Sequence, residues 1–242
     1  MKENIKFNIK PSQVMEKFGE RLKQGLFEDE FPMSQALPKY LSAGCLLAQS
    51  SEQYTSEQYF KTEILPNATP TGGYPNKFKY CITNRLETGG FMFPVSPTVI
   101  RQMESFDTAS RTLTAKEPSN IWGCHEFSWM PSGSFIGWHT NNDKQGEYYC
   151  LVWAAENNKS FIRYKDRDTG NIETCWESKG WQVYNYELTK DPLWQCTVSE
   201  TNRINIVFHS RTGKVDGLLA HRGPESPEYR DWQRETIKEL EK

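Results

Sequence analysis

The sequence lacks several features that would assign it to a familiar class of protein. Its 242 residues carry 29 basic and 31 acidic side chains, so no strong nucleic-acid signal comes from a global basic field. No stretch approaches the roughly 20 apolar residues that span a bilayer. The N-terminal segment MKENIKFNIKPSQ has no apolar signal-peptide core. We therefore expect a soluble cytoplasmic protein without membrane contact.

Cysteine and histidine are sparse and scattered. The six cysteines include no CxxC pair, so neither a zinc knuckle nor a redox dithiol is indicated. Without a secretion signal, free buried thiols are favoured over disulfides. Only four histidines are available as imidazole ligands for a metal, and they are His125, His139, His209 and His221.

What the sequence does contain is a long series of short aromatic and β-branched runs between 121 and 210. They are separated by turn sequences such as PSG, DRDTG and TKDP. The runs are IWGCHEFSWM, SFIGWHT, EYYCLVWAA, SFIRYKD, NIETCWE, GWQVYNYEL, LWQCTVS and NRINIVFHS. Eight strands spaced by about ten residues predict an antiparallel sandwich or barrel, with the strand count of a jelly roll.

The region before these runs is mixed and partly helical in pattern. In PSQVMEKFGERLKQGLF, Ser12 is placed as an N-cap and apolar residues recur at helical spacing, which predicts a helix docked on the sheet. Further helices are predicted at 34–48 and 96–106, and a loop at 65–76. The tail from Ser226 predicts a solvated terminal helix.

The predicted fold class is mainly β with flanking helices (α+β), around a double-stranded β-helix, the small jelly-roll or cupin-like core. We expect a mixed helical N-terminal region at 1–118, the core at 119–212, and a C-terminal tail with a helix at 213–242. Together they are expected to form a single globular domain.

The stretch WMPSGSFIGWHTNND, followed by SFIRYKDRDTG, a Gly-Trp pair and PLWQCTVSETNRINIVF, resembles the Fe(II)/2-oxoglutarate-dependent oxygenase superfamily over roughly residues 120–210. The likeness is greatest to phage and bacterial members with a Gly-Trp-His-Thr turn, and a phage-encoded chain would act in the host cytoplasm. The resemblance implies Fe(II) and 2-oxoglutarate as cofactors. It implies an H-x-D pair after the second strand, a distal histidine on the seventh and an R-x-S pair on the eighth. It also implies a small dicarboxylate co-substrate and either a macromolecular substrate or a protein partner.

This chain departs from that pattern at two of the three metal positions. His139 falls on the first histidine, but Asn141 stands at the carboxylate and Gln195 at the distal histidine. Neutral amide oxygens are weak ligands for a divalent transition metal and bring no charge to offset Fe(II). The substitute ligands to consider are Asp143, His125, His209 and Glu147.

At the positions that bind the co-substrate, this chain matches the family's pattern more closely. Arg203 falls on the arginine that binds the far carboxylate, Asn205 replaces the serine of R-x-S, and Trp129 is expected as a further cofactor contact. Strand alternation predicts Arg203, Asn205, Val207 and His209 on one face. A buried guanidinium needs an anion, either a bound dicarboxylate or an internal Asp or Glu, and a bound anion is slightly favoured here.

Two functions are therefore compatible with the sequence. The first is a 2-oxoglutarate/Fe(II)-dependent oxygenase that hydroxylates an unidentified substrate. The second is a catalytically inactive relative that serves as a binding, structural or assembly module, as the loss of two ligands from an otherwise complete sheet suggests. Likeness at the level of fold does not choose between them.

Overall fold

The computed structural model describes residues 5–27, 51–68, 78–79, 82–85, 121–140 and 145–211. For residues 21, 25–27, 78–79, 82–85, 121–127 and 211 it describes the backbone alone. The predicted helices at 34–48 and 96–106 and the predicted terminal helix lie outside the described residues.

The described helices all precede the β core. Helix α1 spans Gln13–Phe27, and the Ser12 hydroxyl accepts a hydrogen bond from the Met15 amide at 3.4 Å. The predicted helix and its N-cap are confirmed, because this hydroxyl satisfies one of the amides left unpaired in the first turn. Shorter helical segments follow, which the sequence did not predict. They are α2 (Ser51–Thr55), α3 (Glu57–Tyr59), a π-helical turn (Phe60–Ile64) and a 3-10 turn (Leu65–Asn67).

The strands confirm all eight runs predicted between 121 and 210. Those strands are β4 (Ile121–Met130), β5 (Ser134–His139), β6 (Gly146–Ala154), β7 (Ser160–Lys165), β8 (Ile172–Trp176), β9 (Gly180–Leu188), β10 (Gln195–Ser199) and β11 (Arg203–Arg211). Three further strands were not predicted, and these are β1 (Lys6–Ile9), β2 (Phe78–Lys79) and β3 (Ile82–Arg85).

The strands form two antiparallel sheets. The six-stranded sheet has the order β1-β9-β6-β11-β4-β3, and the five-stranded sheet has the order β2-β5-β10-β7-β8. Within β4–β11 the pairing is nested, because the first strand pairs with the last (β4 with β11) and the second with the second-last (β5 with β10). The nested series continues inward with β6 paired with β9 and β7 paired with β8. Nested antiparallel pairing across two sheets is jelly-roll-like, and the predicted mainly β class is confirmed for the described residues.

Each face of β11 packs against a different part of the molecule. Ile204, Ile206 and Phe208 belong to a buried cluster that also contains Met15, Phe18 and Leu22 of α1. Val207 instead packs with residues such as Ile162 of the other sheet. Helix α1 therefore covers the outer face of the six-stranded sheet, and the alternate residues of β11 point between the sheets, as predicted.

The cysteines that can be assessed are free thiols. Cys150 and Cys196 are buried and Cys175 is half-buried, with no disulfide among them. This agrees with the expectation of free thiols at these three positions. None of the helices within the described residues has the length and apolar character needed to cross a membrane.

Candidate functional site

Two of the predicted metal positions face each other across neighbouring strands. His139 at the end of β5 is the register partner of Gln195 at the start of β10. Residues directly opposite in an antiparallel pair have Cβ atoms about 4.5–5.5 Å apart. The structure therefore brings these two positions together. Asn141 and Asp143 lie outside the described residues.

The His139 imidazole is oriented by its own strand. Its Nδ1 lies 2.8 Å from the Gly137 carbonyl oxygen. Because a carbonyl oxygen only accepts, Nδ1 carries the proton in this contact and Nε2 holds the lone pair of the neutral ring. In this tautomer, Nε2 is the ring nitrogen of His139 that could coordinate a metal.

Gln195, in contrast, is buried inside the protein. Its side chain lies near the Tyr186 hydroxyl of β9 and acts to lower the pKa of that group. The Cys150 thiol donates a hydrogen bond to the same hydroxyl, at 3.7 Å. Burial raises the pKa of Tyr186 well above its usual value. The amide at the predicted distal ligand position therefore lies between the two sheets.

An aromatic row continues from Tyr186 along the six-stranded sheet. Tyr186 stacks on Tyr148 with ring centroids 5.4 Å apart, and Tyr148 contacts the His209 ring at 4.5 Å. His209 Nε2 lies 3.2 Å from the Gln145 carbonyl oxygen. One ring nitrogen of this suggested substitute ligand is thus directed at the backbone.

For the other suggested substitute ligands, His125 and Glu147, the described structure shows no grouping with His139 and Gln195. The register between β4 and β11 moves from Glu126 to Cys124 around His125, whose side chain is not described. Glu147 accepts a hydrogen bond from the Asn185 amide at 3.1 Å. Strand alternation sets Glu147 on the face opposite to Tyr148.

The donors among the described residues do not fit the Fe(II) site that the resemblance implies. Such a site needs two imidazoles and a carboxylate on one face. His139 supplies one imidazole, whereas Gln195 supplies only a buried, neutral amide. In the part of the chain that the structure describes, no three His, Cys, Asp or Glu side chains are grouped as an ion would require.

Arg203, the predicted co-substrate anchor, forms a buried ion pair with Glu177. Its Nε lies 2.9 Å from each carboxylate oxygen of Glu177, and its Nη2 lies 2.8 Å from Oε1. Ser160 and Tyr184 donate their hydroxyls to the same carboxylate, each at 2.5 Å. The expected bound anion is thus corrected to an internal one, because Glu177 supplies the negative charge that the guanidinium needs.

Glu177 is the residue that the sequence reasoning missed. It follows β8 and lies 26 residues before Arg203, in the ordinary sequence CWESKG. An acidic residue at the end of a strand is also typical of a solvated turn, so the burial of Glu177 could not be predicted from its position in the sequence. The predicted burial of Arg203 was a weak signal, because a buried guanidinium requires a carboxylate as its partner.

The two remaining co-substrate residues lie on opposite faces of the sheet. Asn205 shares the face of Arg203, and its buried Oδ1 has no hydrogen-bond partner among the described residues. Trp129 is the register partner of Ile204 and packs in the cluster under α1. The expectation of Trp129 as a cofactor contact is therefore corrected, because strand alternation points its indole away from Arg203.

No family model matches the chain, and no curated protein matches it. Among solved structures, it is similar to a prolyl hydroxylase from Trichoplax adhaerens, with 11% identity, 86% of this chain and 82% of that chain covered, and a TM-score of 0.39. A Pseudomonas putida prolyl-4-hydroxylase matches with 9% identity over 87% of this chain and 92% of that chain, at a TM-score of 0.38.

A third similar structure is a Burkholderia pseudomallei oxidoreductase described as a 2OG-Fe(II) oxygenase family protein. It matches with 12% identity over 76% of this chain and 92% of that chain, at a TM-score of 0.36. The matches also include a cysteine peptidase from Thevetia peruviana latex, with 14% identity over 36% of this chain and 51% of that chain, at 0.27. The described activities are thus mixed, and every one of these TM-scores is below 0.5.

Proposed function

We propose that the chain is a catalytically inactive protein with an oxygenase-type double-stranded β-helix, and that it serves as a binding or assembly module. Two features support the fold assignment: the nested pairing of β4–β11, and the position of His139 opposite Gln195 at one end of the five-stranded sheet. In the resemblance, these two positions carry the histidines that hold Fe(II).

The observation that carries the inactive assignment is the neutral amide of Gln195 opposite His139. A distal ligand must direct a strong donor at the metal, but this residue is a buried amide. An amide oxygen is a weak ligand for Fe(II) even when free.

The ion pair of Arg203 and Glu177 supports the same assignment independently. For 2-oxoglutarate to bind Arg203 as the resemblance implies, it would compete with a carboxylate that is already bound by three side chains. The neutral amide of Gln195 thus opposes binding of Fe(II), and the contacts of Glu177 oppose binding of the co-substrate. A chain of this kind keeps the scaffold, while its interaction partners are set by other surfaces.

The test is an anaerobic titration of the purified protein with Fe(II) in the presence of 2-oxoglutarate. The measured quantity is the visible metal-to-ligand charge-transfer absorption that a chelated 2-oxo acid gives. We expect no protein-dependent band, and His139→Ala should give the same spectrum as the wild type.

The opposite result would support the oxygenase alternative. A band that forms with the wild type and is lost in His139→Ala would mean that a metal is held in spite of Gln195. The proposal of an inactive module would then be wrong, and a search for a hydroxylated substrate would follow.

A further inference from the structure

The Glu177 carboxylate occupies a site formed by residues of three strands. The donors are Ser160 at the start of β7, Tyr184 within β9 and Arg203 at the start of β11. They come from both sheets, since β7 belongs to the five-stranded sheet and β9 and β11 to the six-stranded one. Their relative positions are therefore fixed by the sandwich itself.

These donors suit a carboxylate in both geometry and charge. The guanidinium makes two contacts to Oε1 and one to Oε2. Each oxygen then receives one hydroxyl, from Tyr184 on Oε1 and from Ser160 on Oε2. Several charge-assisted hydrogen bonds to one carboxylate form the kind of arrangement that binds carboxylates strongly in proteins.

Burial makes this site costly to leave empty. Glu177 is fully buried and Arg203 is 3% exposed, so removing the carboxylate leaves a cation with little access to water. An unpaired buried charge is strongly unfavourable, whereas the intact pair is balanced. A mobile anion that restored the balance would therefore bind to the folded state in preference to the unfolded chain.

We propose that Arg203, Ser160 and Tyr184 form a carboxylate-binding site that the chain fills with its own Glu177, and that a small free monocarboxylate takes its place once that side chain is shortened. Glu177 thus acts as a built-in ligand. The inference does not depend on whether the protein binds iron, since it concerns the anion site alone.

The experiment compares Glu177→Ala with the double variant that combines Glu177→Ala and Arg203→Met, in the absence of metal. Thermal unfolding is followed in increasing sodium formate or acetate, with sodium chloride at equal ionic strength and acetamide as controls. The unfolding midpoint of Glu177→Ala should rise with the logarithm of carboxylate concentration and be unaffected by acetamide. The wild type and the double variant should respond to carboxylate no more than to chloride.

If Glu177→Ala does not fold in chloride, the same comparison is made on the recovery of native circular dichroism during refolding. Acetate should then raise the folded fraction of Glu177→Ala above that in chloride. Equal responses to acetate and chloride would overturn the proposal. An equal gain from acetate in the double variant would overturn it as well, because the binding would not involve Arg203.

A separate arm distinguishes this inference from the proposed function. Isothermal titration with 2-oxoglutarate, without iron, should detect no binding to the wild type, because Glu177 already occupies the anion site. Binding of 2-oxoglutarate to the wild type with unchanged affinity in Glu177→Ala would contradict the idea that Glu177 occupies the site. Iron binding by the wild type would contradict only the proposed function.

Discussion

At the scale of single residues, the interior between the sheets is held by polar contacts that each have a defined partner. The carboxylate of Glu177 receives donors from Arg203, Ser160 and Tyr184, and the Tyr186 hydroxyl accepts from the Cys150 thiol. Hydrogen bonds to charged groups stabilise more than neutral ones. The contribution of each donor to the free energy of unfolding should therefore depend on whether its acceptor is the buried carboxylate.

Ser160 and Ser132 provide a matched pair for this expectation. The Ser160 hydroxyl donates to the buried Glu177 carboxylate at 2.5 Å, whereas the Ser132 hydroxyl donates to the Glu200 carbonyl at 2.7 Å in an exposed position. We expect Ser160→Ala to lower the free energy of unfolding by about 1.5–3 kcal/mol. Ser132→Ala should change it by less than about 0.5 kcal/mol. Denaturant unfolding measures both, and equal losses would contradict the special role of the buried carboxylate.

The same residues mark the limit of what the sequence could predict about the site. The placement of His139 beside Gln195 was implied by the family resemblance, because alternation within one strand predicts only which of its residues share a face. The partner of Arg203 follows from neither. Glu177 reaches it across the gap between strands, and that distance depends on how the two sheets stack.

At the scale of elements, α1 docks closely on the six-stranded sheet through Gly19. A Cβ atom added at this glycine would lie 2.7 Å from two ring atoms of Trp181. The indole is held in place, since its Nε1 donates to Glu20 at 2.8 Å. The helix thus approaches β9 more closely than a residue with a side chain would allow.

This contact predicts an unusual response to Gly19→Ala. Alanine should favour the isolated helix by about 1 kcal/mol, but in this protein we expect the substitution to destabilise because the methyl group meets the indole ring. In the background of Trp181→Ala, the same substitution should become neutral or stabilising. A double-mutant cycle by chemical unfolding should give an interaction energy of about 0.5–3 kcal/mol. Additive effects of the two substitutions would show that the close approach of Gly19 to Trp181 does not affect stability.

Helices and strands could be predicted where a local sequence pattern specifies them, but not where their formation depends on tertiary packing. Strands β4–β11 were predicted because aromatic and β-branched runs alternate with turn residues, and α1 because Ser12 precedes a helical apolar stripe. Strand β1 was missed, since its four residues are stabilised by pairing with β9. The short helices after residue 50 were missed because their support comes from contacts such as Phe60 on Trp138, at 4.3 Å between ring centroids.

At the scale of the whole molecule, several weak acids are kept neutral by burial. Burial raises the pKa of Tyr184 and of Tyr186 well above the usual tyrosine value of 10.0. It raises the pKa of Cys175 to about 11 and that of Cys196 well above its usual 9.0. In each case the neutral form is favoured because the charged form would lose its hydration.

These shifts predict an alkaline loss of stability. A group whose pKa is higher in the folded state keeps its proton after the unfolded chain has lost it, so its contribution is complete below the unfolded pKa and falls as pH rises. The decline should begin near pH 9 through the thiols and steepen above pH 10 through the tyrosines. Each group contributes a slope of up to about 1.4 kcal/mol per pH unit.

The measurement is the thermal midpoint by circular dichroism at constant ionic strength from pH 7 to 11. Tyr186→Phe removes one of the titrating groups and should show a shallower decline above pH 10 than the wild type. A midpoint that stays constant to pH 11 would contradict the account, as would an identical decline in Tyr186→Phe.

The proposed function holds that His139, Asn141 and Gln195 stand at the three positions of an iron site, and that the two amides no longer suit Fe(II). The most direct measurement is anaerobic calorimetric titration of Fe(II), without co-substrate, into three proteins. These are the wild type, the variant that combines Asn141→Asp with Gln195→His, and that variant with His139→Ala added. We predict stoichiometric binding by the restored variant alone. Stoichiometric binding by the wild type, or none by the restored variant, would contradict the claim.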